Sequence, residues 1–325
     1  MVMAWKRRRS AAAPHYDPAF GDKALAEACQ DVAAGRWQGP RDLLAAGDPH
    51  DWDRRSHRIR LLANAAADRR VAEAWQSAEP HSADAVVLRA DIEVMRMFAV
   101  ARRGTMPAAN RLDWTARICL HAADAAPDDP HPWVSLVTLA RLYEGGHAET
   151  GRWWQELCAR DPHHREAHHQ GLRYMSARWH GSHGQASTFA RERAAAAPLG
   201  SPLAVLPQVA RAEQYRHRAE REGPGRLDLL HHWNGDAELW DLRTTMERWI
   251  GFRTAVQAQD VADLNHLAHA LVHAGLLTEA ATVFELLDGR ATRVPWSYTG
   301  DPEQQYTRWR TRAAAAGTPV RSRNG

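Results

Sequence analysis

Apolar positions recur at helical spacing from about residue 20 to residue 315, and almost nowhere do they alternate as a half-buried strand requires. The most strand-like run, Ala85-Val86-Val87-Leu88, continues as Leu88, Ile92, Met95 and Ala99, which is one face of a helix. The spacing predicts long helices over 84–103 and 107–126. It then predicts helix pairs over 131–145 with 147–161 and 164–178 with 184–197. Prolines punctuate the pattern at Pro80, Pro127, Pro162 and Pro198, where a residue without a backbone N–H suits an inter-helix turn. Start signals sit at matching places: Ser182 with Gln185, and Asp301-Pro302 with Gln304. In Arg178-Trp179-His180-Gly181-Ser182, Gly181 supplies a turn, Ser182 caps the next helix and Trp179 packs across the corner.

Pro127, Pro162 and Pro198 are 35 and 36 residues apart, near the ~34-residue period of helix-turn-helix repeats. In the units between them, Trp133, Leu136 and Ala140 oppose Trp154 and Leu157, and Leu172 and Met175 face Phe189. Within 261–288, Leu264, Leu267, Ala268, Leu271, Gly275, Ala280, Phe284 and Leu287 place large residues in inter-helix holes and small ones at close approaches. At these residues the chain resembles the tetratricopeptide-repeat superfamily, over roughly a quarter of its length. That resemblance implies an α-α superhelix with a concave, partner-binding groove. Arg178–Ser182 with Phe189-Ala190-Arg191 also resembles a bacterial repeat-like domain of unknown function that carries a basic-Trp-x-Gly-Ser turn; that likeness implies no activity.

Composition narrows the function classes. With 325 residues, 44% hydrophobic and 25% charged, the chain falls in the globular range and can bury a sizeable core. A net charge of +3 without a concentrated basic stripe argues against nucleic acid as partner. Only Lys6 and Lys23 are lysines, and this arginine bias points to GC-rich coding and a bacterial background. Cys29, Cys119 and Cys158 are too scattered for a disulfide framework or zinc knuckle and fit a reducing cytoplasm. No run approaches 18 apolar residues, so no membrane span is expected. Fourteen tryptophans are read as core fillers between helices.

Histidine, with 19 copies, is the residue type that suggests a site. His266, His269 and His273 are spaced i, i+3, i+7 on one helix face, at positions that the repeat resemblance places in the groove. They suit ligand contact or, as an alternative, neutral imidazoles around a transition metal. A second cluster, His163-His164 and His168-His169, brackets a helix start, with the first two expected in an exposed turn. His180 with His183 and the adjacent His231-His232 suggest less. Arg173 follows His169 by four residues and could pair a carboxylate bidentately. The repeat resemblance implies a comparable carboxylate-binding role for Arg173, Asn265 and His269. The motifs G-x-S-x-G, G-x-x-x-x-G-K-[ST] and helix-opening G-x-G-x-x-G are absent, which argues against the enzyme classes they mark.

The expected protein is therefore an all-α, α-α superhelix of about five to six helix pairs. A flexible basic arm over 1–19 precedes one elongated domain over 20–315, and a frayed tail covers 316–325. The expected function is non-catalytic binding of a protein or peptide, without a cofactor. The groove would carry His169, Arg173, Asn265, His266, His269 and His273. The alternative is a metal- or small-ligand-binding enzyme or sensor built on the same histidines.

Overall fold

The structure, a computed structural model, describes residues 13–223, 231–252 and 255–317. Among these the helical periodicity becomes fifteen α-helices. They are α1 (Lys23–Ala33), α2 (Gln38–Ala45), α3 (Trp52–Ala65), α4 (Val71–Ala78), α5 (Ala83–Arg102) and α6 (Ala109–Ala125). Then follow α7 (His131–Ala140), α8 (Thr150–Arg160), α9 (Arg165–Tyr174), α10 (His183–Ala196) and α11 (Leu206–Glu222). The chain closes with α12 (Asp236–Arg248), α13 (Val261–His273), α14 (Leu277–Leu287) and α15 (Pro302–Ala316). The one β contact among the described residues is an isolated bridge between His15 and Arg290. The fold is all-α. Among the described residues no helix is long and apolar enough to cross a membrane.

Local chemistry sets the helix ends. Ser82, Ser182 and Asp301 each cap a helix by accepting the N–H three residues on, from Ala85 at 3.3 Å, Gln185 at 3.2 Å and Gln304 at 2.9 Å. α7 stops at Ala140, short of the expected 145. The Leu142 N–H turns back three residues to Leu139 O at 2.9 Å, and Gly145 and Gly146 then take left-handed φ values of 70° and 86°. α9 stops at Tyr174, short of the expected 178, because Ser176 Oγ donates to Arg173 O at 2.7 Å and the N–H groups of His180 and Gly181 fold back onto Tyr174 O and Ser176 O. Only glycine fits at 181, where a Cβ would lie 2.1 Å from Met175 O. Trp179 packs across this corner edge-on to Phe98, at 6.2 Å between ring centroids. Replacing Ser182 by Ala is expected to cost about 1 kcal/mol in urea unfolding, with Ser182→Asp close to wild type because aspartate caps equally well.

Neighbouring helices pack as pairs, among them α1 with α2, α5 with α6, α7 with α8, α10 with α11 and α13 with α14. A second set of contacts joins alternate helices: α3 to α5, α5 to α7, α7 to α9, α9 to α11 and α11 to α13. α3 also reaches α9 and the short 3-10 turn Ala258–Asp260 ahead of α13. These contacts bring α3, α9 and α13 together from three distant parts of the sequence. The apolar interior falls into two clusters, one from Ala19 to Ala167 and one from Leu172 to Ala313, and the change-over lies within α9.

Tryptophan fills this interior as expected: Trp75, Trp249 and Trp296 are fully buried, whereas Trp240 is an exception at 65% exposed. The α13–α14 hairpin buries Leu264, Leu267, Leu271, Phe284 and Leu287 about a turn in which Gly275 has φ 80°. Phe189 packs against the apolar cluster that contains Leu172, lines one cleft with Met175, and stacks edge-on to Trp154 at 5.6 Å. Gly171 makes that possible, since a Cβ there would sit 3.0 Å from Trp154 and 3.1 Å from Phe189. Cys119 is buried, Cys29 and Cys158 are half-buried, and all three are free.

The arm expected over 1–19 is docked where the structure describes it. The His15 N–H donates to Gly289 O and His15 O accepts from the Ala291 N–H, both at 2.8 Å, and Ala19 is buried. The pair of backbone bonds, invisible to periodicity, ties this segment to the chain after α14. The basic cluster Lys6–Arg9 lies outside the described residues, as does the tail from 318 on.

Candidate ligand-binding cleft

Where α3, α5, α9 and α13 converge, a cleft of about 390 Å³ opens at the change-over between the two apolar clusters. Helical spacing builds its walls. α3 offers His57, Arg60 and Asn64; α5 offers Met95, Phe98 and Arg102; both sets are spaced i, i+3, i+7. α9 presents Arg165, Glu166, His169, Gln170 and Arg173, and α13 presents Ala262, Asp263 and His266. Arg141, just past the end of α7, and Gln259, in the 3-10 turn ahead of α13, complete the polar lining.

The floor is an ion-pair network. Arg165 grips Asp263 bidentately, Nε to Oδ2 at 2.5 Å and Nη2 to Oδ1 at 2.8 Å, and His169 Nε2 lies 2.9 Å from the same Oδ1. Burial pushes the Asp263 carboxyl up, but Arg165 and His169 outweigh it and hold the group well below the usual carboxylate range. Glu166 is likewise raised by burial and brought far lower by Arg60, Arg165 and Arg173. The imidazoles respond oppositely. Burial depresses His57 to about 4 and His266 to about 3, reinforced by Arg165 beside His57 and by His169 beside His266. Both rings are neutral near pH 7.

Five buried polar atoms of this lining have no hydrogen-bond partner among the described residues: His57 Nε2, Arg60 Nε, Gln170 Oε1, Gln259 Oε1 and His266 Nδ1. Folded proteins pair nine-tenths or more of such groups, so five around one cleft stand out. The other clefts differ. One of about 830 Å³ beside Trp154, Tyr174 and Phe189 gathers a single such atom, Arg193 Nε, and one of about 360 Å³ between Leu44 and Asp129 gathers none. No family model matches the chain, and no curated protein is similar to it in sequence.

The six residues expected to share a groove are split. His169, Arg173 and His266 line the cleft. Asn265 is fully buried and serves the fold: its Nδ2 donates to Val261 O at 2.8 Å, and its Oδ1 accepts from Trp296 Nε1 at 2.9 Å and Thr292 N at 3.3 Å. His269 is enclosed by Trp233, Trp296 and His273, with Nε2 3.3 Å from Thr299 Oγ1. His273 packs against Trp233 and Trp309. Residues 265, 269 and 273 thus share the α13 face that meets the chain after α14, while 262, 263 and 266 face the cleft. The Arg173–Asn265–His269 grouping is therefore not assembled.

Metal ligation was the alternative use of the histidines. Among the described residues only Asp53, Asp161 and His164 bring three potential ligand atoms within 4.8 Å of one another, and the 266–269–273 stripe does not. His164, expected in an exposed turn, is fully buried and caps α9: its Nδ1 accepts from Ala167 N at 3.1 Å and its Nε2 lies 2.9 Å from Ser56 Oγ. Accepting at Nδ1 fixes the proton on Nε2, which leaves neither nitrogen a free lone pair for a metal. Ser56 Oγ then donates to His131 Nδ1 at 2.9 Å. This Ser56–His131 pair ends on Asp91, 3.5 Å from His131 Nε2, and all three residues are buried. It can order the core but cannot reach a substrate.

Sequence reasoning missed Arg60, Arg141, Arg165 and Glu166. The available signal was polar residues at core spacing, His57-x-x-Arg60 on the same helix as Ile59 and Leu62.

Proposed function

We propose that the chain is a non-catalytic binding module, an α-α superhelix whose alternate helices form an inner row, and that part of a protein or peptide partner enters the central cleft. The contacts linking α3, α5, α7, α9, α11 and α13 in series support the superhelix. The observation that carries the binding role is the set of five unpartnered, buried polar atoms around the cleft. A partner segment would supply their missing donors and acceptors in a preformed site. Three free cysteines fit a reducing, cytoplasmic setting.

A small-molecule ligand is the second reading, favoured by the cleft's volume of about 390 Å³, within the range of small-ligand sites. Selection from a displayed random-peptide library against the wild type and Asn64→Trp separates the two. Asn64 is exposed at the cleft wall, so the indole is expected to fill the opening without disturbing the core. Peptides enriched on wild type and lost on Asn64→Trp support peptide capture. Equal enrichment on both, or none on either, overturns it.

A further inference from the structure

Charge pairing in the cleft is incomplete in one direction. Arg165 is matched by Asp263, and Arg60 by Asp91 at 3.3 Å and Glu166 at 4.0 Å. Arg141 and Arg173 have no carboxylate oxygen within 4 Å among the described residues, although both line the cleft. Arg141 is the more telling of the two, at only 9% exposed. Its Nε donates to Thr138 O at 3.3 Å, and the guanidinium is held against Phe98 at 4.6 Å and Trp179 at 5.1 Å from the ring centroids. The rings fix the plane of the group, and its two Nη nitrogens have no hydrogen bond among the described residues.

We infer that Arg141 and Arg173 together are the receptor for an oxyanion, a carboxylate or phosphate group, carried by the ligand of this cleft. The inference rests on the cleft reading for its location but not on the ligand being a peptide. A guanidinium does not shed its proton in a protein, so burying one without a counter-charge is a standing cost that an apolar side chain would avoid. Burial, with Arg173 and Arg60 close by, weighs heavily against the charged form of Arg141. An incoming oxyanion relieves that repulsion and accepts from the free guanidinium edges, where a planar fork gives the strongest charge-assisted bonds. An ammonium or a neutral apolar group would gain nothing there. Asn265 and His269 take no part, so this receptor is formed between α7 and α9.

The test uses the full chain with succinate and inorganic phosphate as probes, sodium chloride of equal ionic strength as control, and calorimetric titration beside thermal unfolding. Saturable one-to-one binding of either oxyanion is expected, at least tenfold weaker in Arg141→Met and in Arg173→Gln. The comparison of succinate with phosphate tells which group the site prefers. In ligand-free protein Arg141→Met is expected to raise Tm by about 2–4 °C, as loss of an uncompensated buried charge should; an arginine kept for structure would lower it. Should Arg141→Met fold poorly, the half-exposed Arg173→Gln carries the binding test. The inference is overturned if neither oxyanion binds beyond the chloride control, or if the variants bind as wild type does. Oxyanion binding without peptide selection removes the peptide reading alone, and peptide selection without oxyanion binding removes this inference alone.

Discussion

Lowering the pH from 7 to 5 is expected to remove several kcal/mol of folding stability, well before any carboxylate of the ion-pair network is protonated. Burial holds His57, His164, His168 and His273 near 4 and His266 near 3, and places His269 well below its ordinary value. In the unfolded chain each ring titrates near 6.5. Between these values the unfolded state binds more protons, so stability present above about pH 6.5 is lost as the pH falls towards the folded values. Each ring contributes up to about 1.4 kcal/mol per pH unit in that window. One group opposes the trend. Burial raises Asp53 to about 7, against the N–H of Arg165 that it accepts, so its protonation favours the folded state as the pH drops. Six rings outweigh one carboxyl. Below about pH 4.5 the depressed Glu166, Asp263 and Asp91 add a second loss in the same direction. Urea unfolding at half-unit pH steps measures this, and a flat or rising free energy between pH 7 and 5 would show that the rings are not held neutral.

This buried histidine set also marks how far the sequence could be read. Helix existence was legible because apolar residues repeat at a fixed spacing, as in Leu264, Leu267 and Leu271. Caps were legible at Ser182 and Asp301 because short polar side chains accept a nearby N–H whatever surrounds them. The early ends of α7 and α9 were not, since they depend on Gly145, Gly146 and Ser176 closing turns that periodicity does not register. Half of the expected site was placed in the cleft: a helix projection puts His266, His269 and His273 on one side, but it does not say that the chain after α14 returns to cover the last two. Arg141, Arg165 and Glu166 were hidden for a related reason. Charged residues read as solvated until a distant segment buries them, and α3, α9 and α13 are over a hundred, and then nearly a hundred, residues apart. Asp263 and its partner Arg165 are 98 positions apart.

That pair gives the second large effect. Asp263→Asn, nearly isosteric, is expected to destabilise the protein by about 3 kcal/mol, because it removes the bidentate counter-charge of the buried Arg165 guanidinium and leaves only Glu166, at 3.5 Å, opposite it. Arg165 is 8% exposed and Asp263 fully buried, so water cannot substitute for the lost carboxylate. The amide can keep one hydrogen bond to Arg165 or His169, but not the charge that holds both. Replacing both partners by apolar residues, as in Arg165→Met with Asp263→Leu, is expected to restore most of the loss, since dry ion pairs contribute little beyond offsetting their own desolvation. The double-mutant cycle by urea unfolding therefore distinguishes two roles. A double variant near wild type means that the pair is tolerated for something other than stability, which is the arrangement a binding cleft requires. A double variant as damaged as Asp263→Asn means that the pair itself joins α9 to α13, and so joins the two apolar clusters that meet there. A cost below about 1 kcal/mol for the single variant would place the pair in solvent-screened surroundings, against the burial on which the cleft's electrostatics depend.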